Sequence, residues 1–177
     1  MGRAAFMVLR AARTALEEAK LDSRDIAVIV GSGTGDVDTH LNIRSKLEAT
    51  QNAKRISPTV IPRIMASTVS ANLSNVLGTT GPSFSATAAC AGGAYNILLA
   101  GELIANGHVD AAIAGGVEVA DLHFHSGFDS MRAYNGQDND HPERASRPYA
   151  ADRAGFIFAE GAGIVVLETR ESAERRA

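Results

Sequence analysis

A single cysteine is the sharpest chemical feature of this chain. Cys90 follows Ser83 to Ala89, which reads as a strand, and precedes Ala91 to Asn106, which reads as a helix with Gly92 and Gly93 just inside it. A thiol at a helix N-terminus meets the positive end of the helix dipole and unpaired backbone N–H groups, which favour the thiolate. The same N–H groups can stabilise an oxyanion formed when that thiolate attacks a carbonyl. The two glycines remove side chains that would block a substrate. A free cysteine is also commonly a small buried hydrophobe. Composition alone favours that blander role, and the strand-to-helix position brings the nucleophile level with it.

The other candidates are weaker. Gly31-Ser32-Gly33-Thr34-Gly35 follows an apolar run, as a dinucleotide-binding loop would, but Asp36 occupies the place of the third glycine and would repel a pyrophosphate. A tight turn is the expected use. His123 and His125 would share one face of an extended segment, yet no third or fourth ligand stands at a recognisable spacing, so no metal is expected. His40, His108 and His141 carry no motif. Asp138, Asn139, Asp140, Glu143 and Asp152 form an acidic loop without the glycine and terminal glutamate of a calcium site. Arg144, Arg147 and Arg153 are expected to pair with these carboxylates.

The elements that must position these groups follow from periodicity. Ala4 to Lys20 reads as an amphipathic helix, with Ala5, Val8, Leu9, Ala12 and Leu16 at three-four spacing. Asp25 to Val30, closed by Gly31, has the unbroken apolar character of a parallel strand buried on both faces. A polar helical stretch to about Lys54, a connection carrying Pro58 and Pro62, and a small-residue helix from Ile64 to Leu77 come next. Ala91 to Asn106 bears so few charges that it should be buried. Val109 to Ala114, closed by Gly115-Gly116, is a further strand. Asp121 to Asp152 reads as polar loop, Gly155 to Glu168 as one bent strand or two short ones, and Glu171 to Ala177 as opening turns of a helix. Strands alternating with helices predict an α/β layered fold with a mainly parallel sheet.

Composition narrows the function classes. The 177 residues are 45% hydrophobic and 21% charged, which fits one globular domain or part of a larger one and excludes disorder. No run of about 18 apolar residues is present, so no membrane span is expected. Met1-Gly2-Arg3 leads into a charged helix rather than a signal peptide, and Phe6 stands where a myristoylation signal wants Ser or Thr. A net charge of −3 gives no reason to propose nucleic acid. One cysteine cannot form an internal disulfide, which suits a reducing cytoplasm.

The stretch Gly81-Pro82-Ser83-Phe84-Ser85-Ala86-Thr87-Ala88-Ala89-Cys90-Ala91 resembles the nucleophile segment of the β-ketoacyl-acyl carrier protein synthases, the condensing enzymes of fatty-acid and polyketide assembly. Further blocks agree in order and spacing. Val109 to Glu118 is similar to the strand and turn after the nucleophile helix. Phe128-Asp129-Ser130-Met131 resembles the segment with an aromatic beside the acyl pocket, in the form of the elongating synthases of bacterial fatty-acid synthesis. Arg144-Ala145-Ser146-Arg147-Pro148-Tyr149, Asp152-Arg153, and Gly155-Phe156 through Glu160-Gly161-Ala162-Gly163 to Leu167-Glu168 resemble the family's long shared signature.

The resemblance implies a thiolase-like αβαβα fold of two similar halves, homodimeric pairing, acyl carrier protein thioesters as substrates and no cofactor. It implies a ping-pong decarboxylative condensation in which Cys90 takes an acyl group and a malonyl thioester then supplies the attacking carbanion. Cys90 would be the nucleophile and its own N–H an oxyanion donor. Phe128 would line the acyl channel, with Ile64, Met65 and Ala89 as neighbours.

The family's domain is more than twice as long. Residues 1–177 are therefore expected to be part of its N-terminal half, preceded by a further strand and followed by a second half. That half carries catalytic histidines in His-Gly-Thr and Gly-His contexts and a lysine. None of the five histidines here stands in either context, so the chain alone is expected to be inactive in condensation. The alternatives are a polyketide ketosynthase or thiolase-like acyltransferase on the same fold, and a non-catalytic partner of a complete synthase. An exposed thiol at a helix N-terminus argues against the last.

Overall fold

The apolar runs around Ile26 and Val109 lie side by side at the centre of one sheet. The computed structural model describes residues 1–176. Their order is α1 (Arg3–Ala19), β1 (Ala27–Ser32), α2 (Val37–Thr50), α3 (Val60–Ile64), α4 (Thr68–Leu77), β2 (Ser83–Phe84), α5 (Gly92–Ala105), β3 (Ala111–Glu118), α6 (Leu122–Ser130), β4 (Gly161–Glu168) and α7 (Arg170–Glu174). Single 3-10 turns lie at Ala53–Arg55 and Pro142–Arg144. The chain divides into two compact units, residues 1–119 with 161–176, and residues 120–160.

In the first unit the strand order is β2-β1-β3-β4. β1 pairs in parallel with β2 and with β3, and β3 pairs antiparallel with β4. The sheet is thus mainly parallel, as expected. Alternation along the strands sorts the core. Val28, Val30, Ala111 and Ile113 pack with Val8 and Ala12 of α1 and Val69 and Leu73 of α4. Ala27, Ile29, Ala112 and Ala114 pack with Ala100, Leu103 and Ile104 of α5. The result is three layers, α/β/α. Val8, Val28, Ile29 and Leu73 are fully buried, and each such side chain contributes about 1.5–3 kcal/mol relative to exposure.

Several elements depart from the sequence reading, each for a physical reason. The strand expected over Ser83 to Ala89 stops at Phe84. Beyond it, the Ser85 hydroxyl donates to the Val30 carbonyl (2.6 Å) and the Thr87 hydroxyl to the Ser32 carbonyl (3.3 Å), taking acceptors that a longer ladder would have used. β3 runs through Gly115-Gly116 to Glu118 because β4 pairs opposite both glycines. Gly115 takes φ +151 there, a conformation open to glycine.

The helix expected from Ile64 to Leu77 is broken at Met65, whose backbone is extended. α5 is not buried all round. Asn96 and Ala100 face the sheet, while Tyr95 and Leu98 are 51% and 55% exposed on the opposite side. One sheet can cover only one face of a helix.

The second unit is not all loop, since it holds α6, capped by Asp121, whose carboxylate accepts from the His123 N–H at 2.8 Å. Two histidines two residues apart on a helix point in different directions, so the shared face expected of His123 and His125 does not exist. Arg147 organises the loop that follows, donating to Asp138 (2.9 Å) and to the Arg144 and Asp152 carbonyls. Arg153 donates instead to the Ala150 carbonyl. Asn135, 1% exposed, donates to Asp138 and to the Ala145 carbonyl.

Candidate active site

Cys90 is a free, exposed thiol. It stands two residues before the first residue of α5, in a turn whose Ala91 N–H donates to the Ala88 carbonyl (3.0 Å) and whose Gly92 N–H donates to the Ala89 carbonyl (3.1 Å). Ala89, directly before the cysteine, has φ +45. The left-handed region costs a residue with a Cβ roughly 1–2 kcal/mol. Such a conformation persists only where the surroundings over-determine it.

The surroundings are polar side chains of high sequence separation. Ser85 bridges the Val30 carbonyl and the Ser70 hydroxyl (2.9 Å), and Thr87 reaches the Ser32 carbonyl. On the other side of the turn, the Asn96 carboxamide accepts from the Ala86 N–H (3.1 Å) and donates to the Ala86 carbonyl (3.3 Å) and the Gly115 carbonyl (2.9 Å). Asn96 is fully buried. These residues were not picked out from the sequence. The signal that could have found Asn96 is an amide in a helix whose one charged residue is Glu102, since a buried amide must find partners.

The glycines around the turn differ in what a side chain there would meet. A Cβ on Gly31 would run into the Ala86 carbonyl, and one on Gly116 would stand 3.0 Å from the Gly93 Cα. The bare Gly116 therefore lets α5 lie close on β3, whereas a Cβ on Gly93 would make only ordinary contact, 3.5 Å from the Gly116 N. A Cβ on Gly92 would meet only the Ala86 carbonyl, at 3.9 Å.

The turn after β1 is tied to the end of β3. Glu118 accepts from the Ser32 hydroxyl (3.0 Å), the Gly33 N–H (2.9 Å) and the Thr34 hydroxyl (2.6 Å). The Ser32 oxygen in turn accepts from the Gly35 N–H at 3.0 Å. Asp36, the residue that spoils a dinucleotide fingerprint, caps α2 through Thr39 and lies 3.4 Å from Arg63. This is a built turn with its own carboxylates.

Ala89 shares the turn with Cys90. Ile64 and Met65 stand at the corner between α3 and α4, where a Cβ on Gly35 would be 3.0 Å from the Ile64 carbonyl; Met65 is 51% exposed. Phe128 belongs to the second unit, packed 4.5 Å from Phe158 and edge-on to Phe156 at 5.8 Å between ring centroids. Tyr134 stacks on Phe158, and His125 lies against both rings. Among the described residues, no three His, Cys, Asp or Glu groups are clustered so as to hold a metal. The chemistry on offer is that of one accessible thiol before a 14-residue helix, suited to attack on a carbonyl carbon.

A family model described as the β-ketoacyl synthase N-terminal domain matches residues 1–173. The 3-oxoacyl-[acyl-carrier-protein] synthase 2 of Rhizobium meliloti is 40% identical over 164 residues, which are 90% of this chain and 38% of that protein. The protein of the same name from Staphylococcus aureus is 37% identical over 172 residues, 94% of this chain and 41% of its own length. The chain thus spans about two-fifths of these relatives. Among solved structures, a β-ketoacyl synthase from Burkholderia phymatum superposes with a TM-score of 0.89 at 28% identity, covering 99% of this chain and 44% of that one. The ishigamide ketosynthase/chain length factor gives 0.86 at 30% identity, covering 99% and 43%. The three-layered α/β unit therefore has the thiolase-like architecture of ketosynthases.

Proposed function

Since the chain belongs to the β-ketoacyl synthase family through its N-terminal domain, we propose that it carries the nucleophile of a 3-oxoacyl-acyl carrier protein synthase of fatty-acid elongation. The observation that carries this reading is Cys90, an exposed thiol held at the start of α5 in a chain matched by that family along nearly its whole length. Relatives named 3-oxoacyl-[acyl-carrier-protein] synthase 2 favour fatty-acid over polyketide assembly.

In this reading the Cys90 thiol loses its proton as Sγ bonds to the acyl carbonyl carbon, and the carrier thiolate leaves and takes up a proton. A malonyl thioester then loses carbon dioxide. The carbanion so formed attacks the acyl carbon, the bond to Sγ breaks, and a 3-oxoacyl thioester departs. The Cys90 N–H serves as an oxyanion donor, and Ala89, Ile64 and Met65 border the acyl chain. Residues 1–177 act as part of the family's N-terminal half. The histidine contexts that assist decarboxylation in the family do not occur here, so condensation needs groups from outside these residues. Operation in the cytoplasm and as a homodimer completes the proposal. The edge position of β2 and the exposed Phe84, Tyr95 and Leu98 support pairing of copies.

The test is incubation of the chain with octanoyl-pantetheine and mass spectrometry of the Cys90 peptide. A hydroxylamine-labile octanoyl adduct is expected in the wild type and absent in Cys90→Ser. A thiol that alkylates with iodoacetamide yet takes no acyl group would overturn the reading.

A further inference from the structure

We propose that Asn96 is the positioning residue of the Cys90 nucleophile, deepening the ketosynthase reading and resting on it. The Asn96 carboxamide meets both backbone groups of Ala86, as a neighbouring strand would. It thereby closes the segment from Ala86 to Asn96 into a loop with Cys90 at its turn. The same amide donates to the Gly115 carbonyl of β3, so the loop is fixed to the sheet as well as to the helix.

The need for such a clamp is visible on both sides of it. The strand ladder ends at Phe84, six residues before the thiol, and Ala89 holds a left-handed backbone. Among the described residues no strand of the sheet pairs with Ala86 to Ala89, whose β-bridge from Ala88 to Cys90 is local, so side-chain hydrogen bonds tie this path to the sheet. Ser85 and Thr87 tie that path to β1, and the Asn96 side chain ties it to α5 and β3 together. Asn96 does not touch a reacting atom. It acts by setting where Sγ stands relative to the first turn of α5. Acyl transfer is sensitive to that placement because attack must occur along a narrow approach to the carbonyl carbon, and a misplacement of about 1 Å can cost about a hundredfold.

The measurement compares two rates at Cys90 in the full 177-residue chain: acylation by octanoyl-pantetheine and alkylation by iodoacetamide. Asn96→Ala should lower acylation by about tenfold or more while alkylation by the small electrophile changes less than about threefold. Val8→Ala, a fully buried substitution in α1, controls for lost stability and should leave both rates of the folded protein unchanged. If Asn96→Ala does not fold, Asn96→Ser, which can still meet one Ala86 group, is measured in its place. Acylation by the folded variant within about twofold of wild type overturns the proposal, and so does an equal loss in Val8→Ala. Wild-type protein that alkylates but does not acylate removes the ketosynthase reading and this proposal with it. Normal wild-type acylation retained in the variant removes the positioning role alone.

Discussion

Gly93 and Gly116 meet backbone to backbone where α5 crosses β3, so that a Cβ on Gly116 would lie 3.0 Å from the Gly93 Cα and 3.3 Å from its N. This contact sets how deeply the helix that follows Cys90 sits on the sheet. Neither partner has a flexible side chain end that could give way.

Gly116→Ala should therefore push the first turn of α5 outward. Overpacking of this kind typically costs about 1–3 kcal/mol. Urea unfolding is expected to show a lower midpoint, and acylation of Cys90 should slow with it. An unchanged midpoint would mean that the helix slides without cost.

Glu118 holds three donors of the turn after β1. A hydrogen bond to a charged group contributes up to roughly 1.5–3 kcal/mol, and less at this partly exposed turn, where water takes over as partner once the shared acceptor is gone. Glu118→Ala should destabilise the first unit by about 2–4 kcal/mol and speed amide exchange at Gly33 and Gly35. Protection at those amides equal to wild type would show that the turn stands without the carboxylate.

Two carboxylates make stability depend on acid. Hydrogen bonding from Asn135, then from Arg147, holds Asp138 below the ordinary aspartate range. Hydrogen bonding from Arg176 does the same for Glu168, whose pair with Arg176 is 2.6 Å long. A carboxylate depressed in the folded state binds fewer protons there than when unfolded. Its contribution is complete above the ordinary carboxylate value and is lost as pH falls through the depressed one. Urea midpoints should thus hold near neutral pH and fall below about pH 4. Asp138→Asn and Glu168→Gln should each flatten that fall. Parallel wild-type and variant curves would contradict it.

Phe84 on the edge strand and Tyr95 and Leu98 on α5 are exposed apolar groups of the first unit. Apolar surface and an open strand edge drive association. Sedimentation equilibrium should show concentration-dependent self-association of the chain, weakened in Leu98→Glu. A monodisperse monomer with a cooperative unfolding transition would exclude it.

What could be read from the chain alone was whatever depends on neighbours in sequence. The unbroken apolar run from Ile26 to Val30 announces a strand buried on both faces, and that is what β1 is. The amphipathic spacing of Val8, Ala12 and Leu16 marks the face of α1 that packs on the sheet. Cys90 at the entrance of α5 and the motif around it are equally local. The early end of β2 was not legible, because it depends on Ser85 and Thr87 reaching carbonyls 55 residues away, on a strand whose alignment only the fold decides. α6 hides in a polar stretch, since its short turns carry no long apolar stripe to report them. Neither Asn96 nor Glu118 shows its partners in sequence: Gly115 comes within reach of Asn96 when α5 packs on β3, and the turn from Ser32 to Thr34 comes within reach of Glu118 when β1 and β3 pair. Local pattern determined which segments form elements and where a nucleophile could stand. The long-range hydrogen bonds that hold it there exist only in the packed protein, because each needs two distant backbones brought into register.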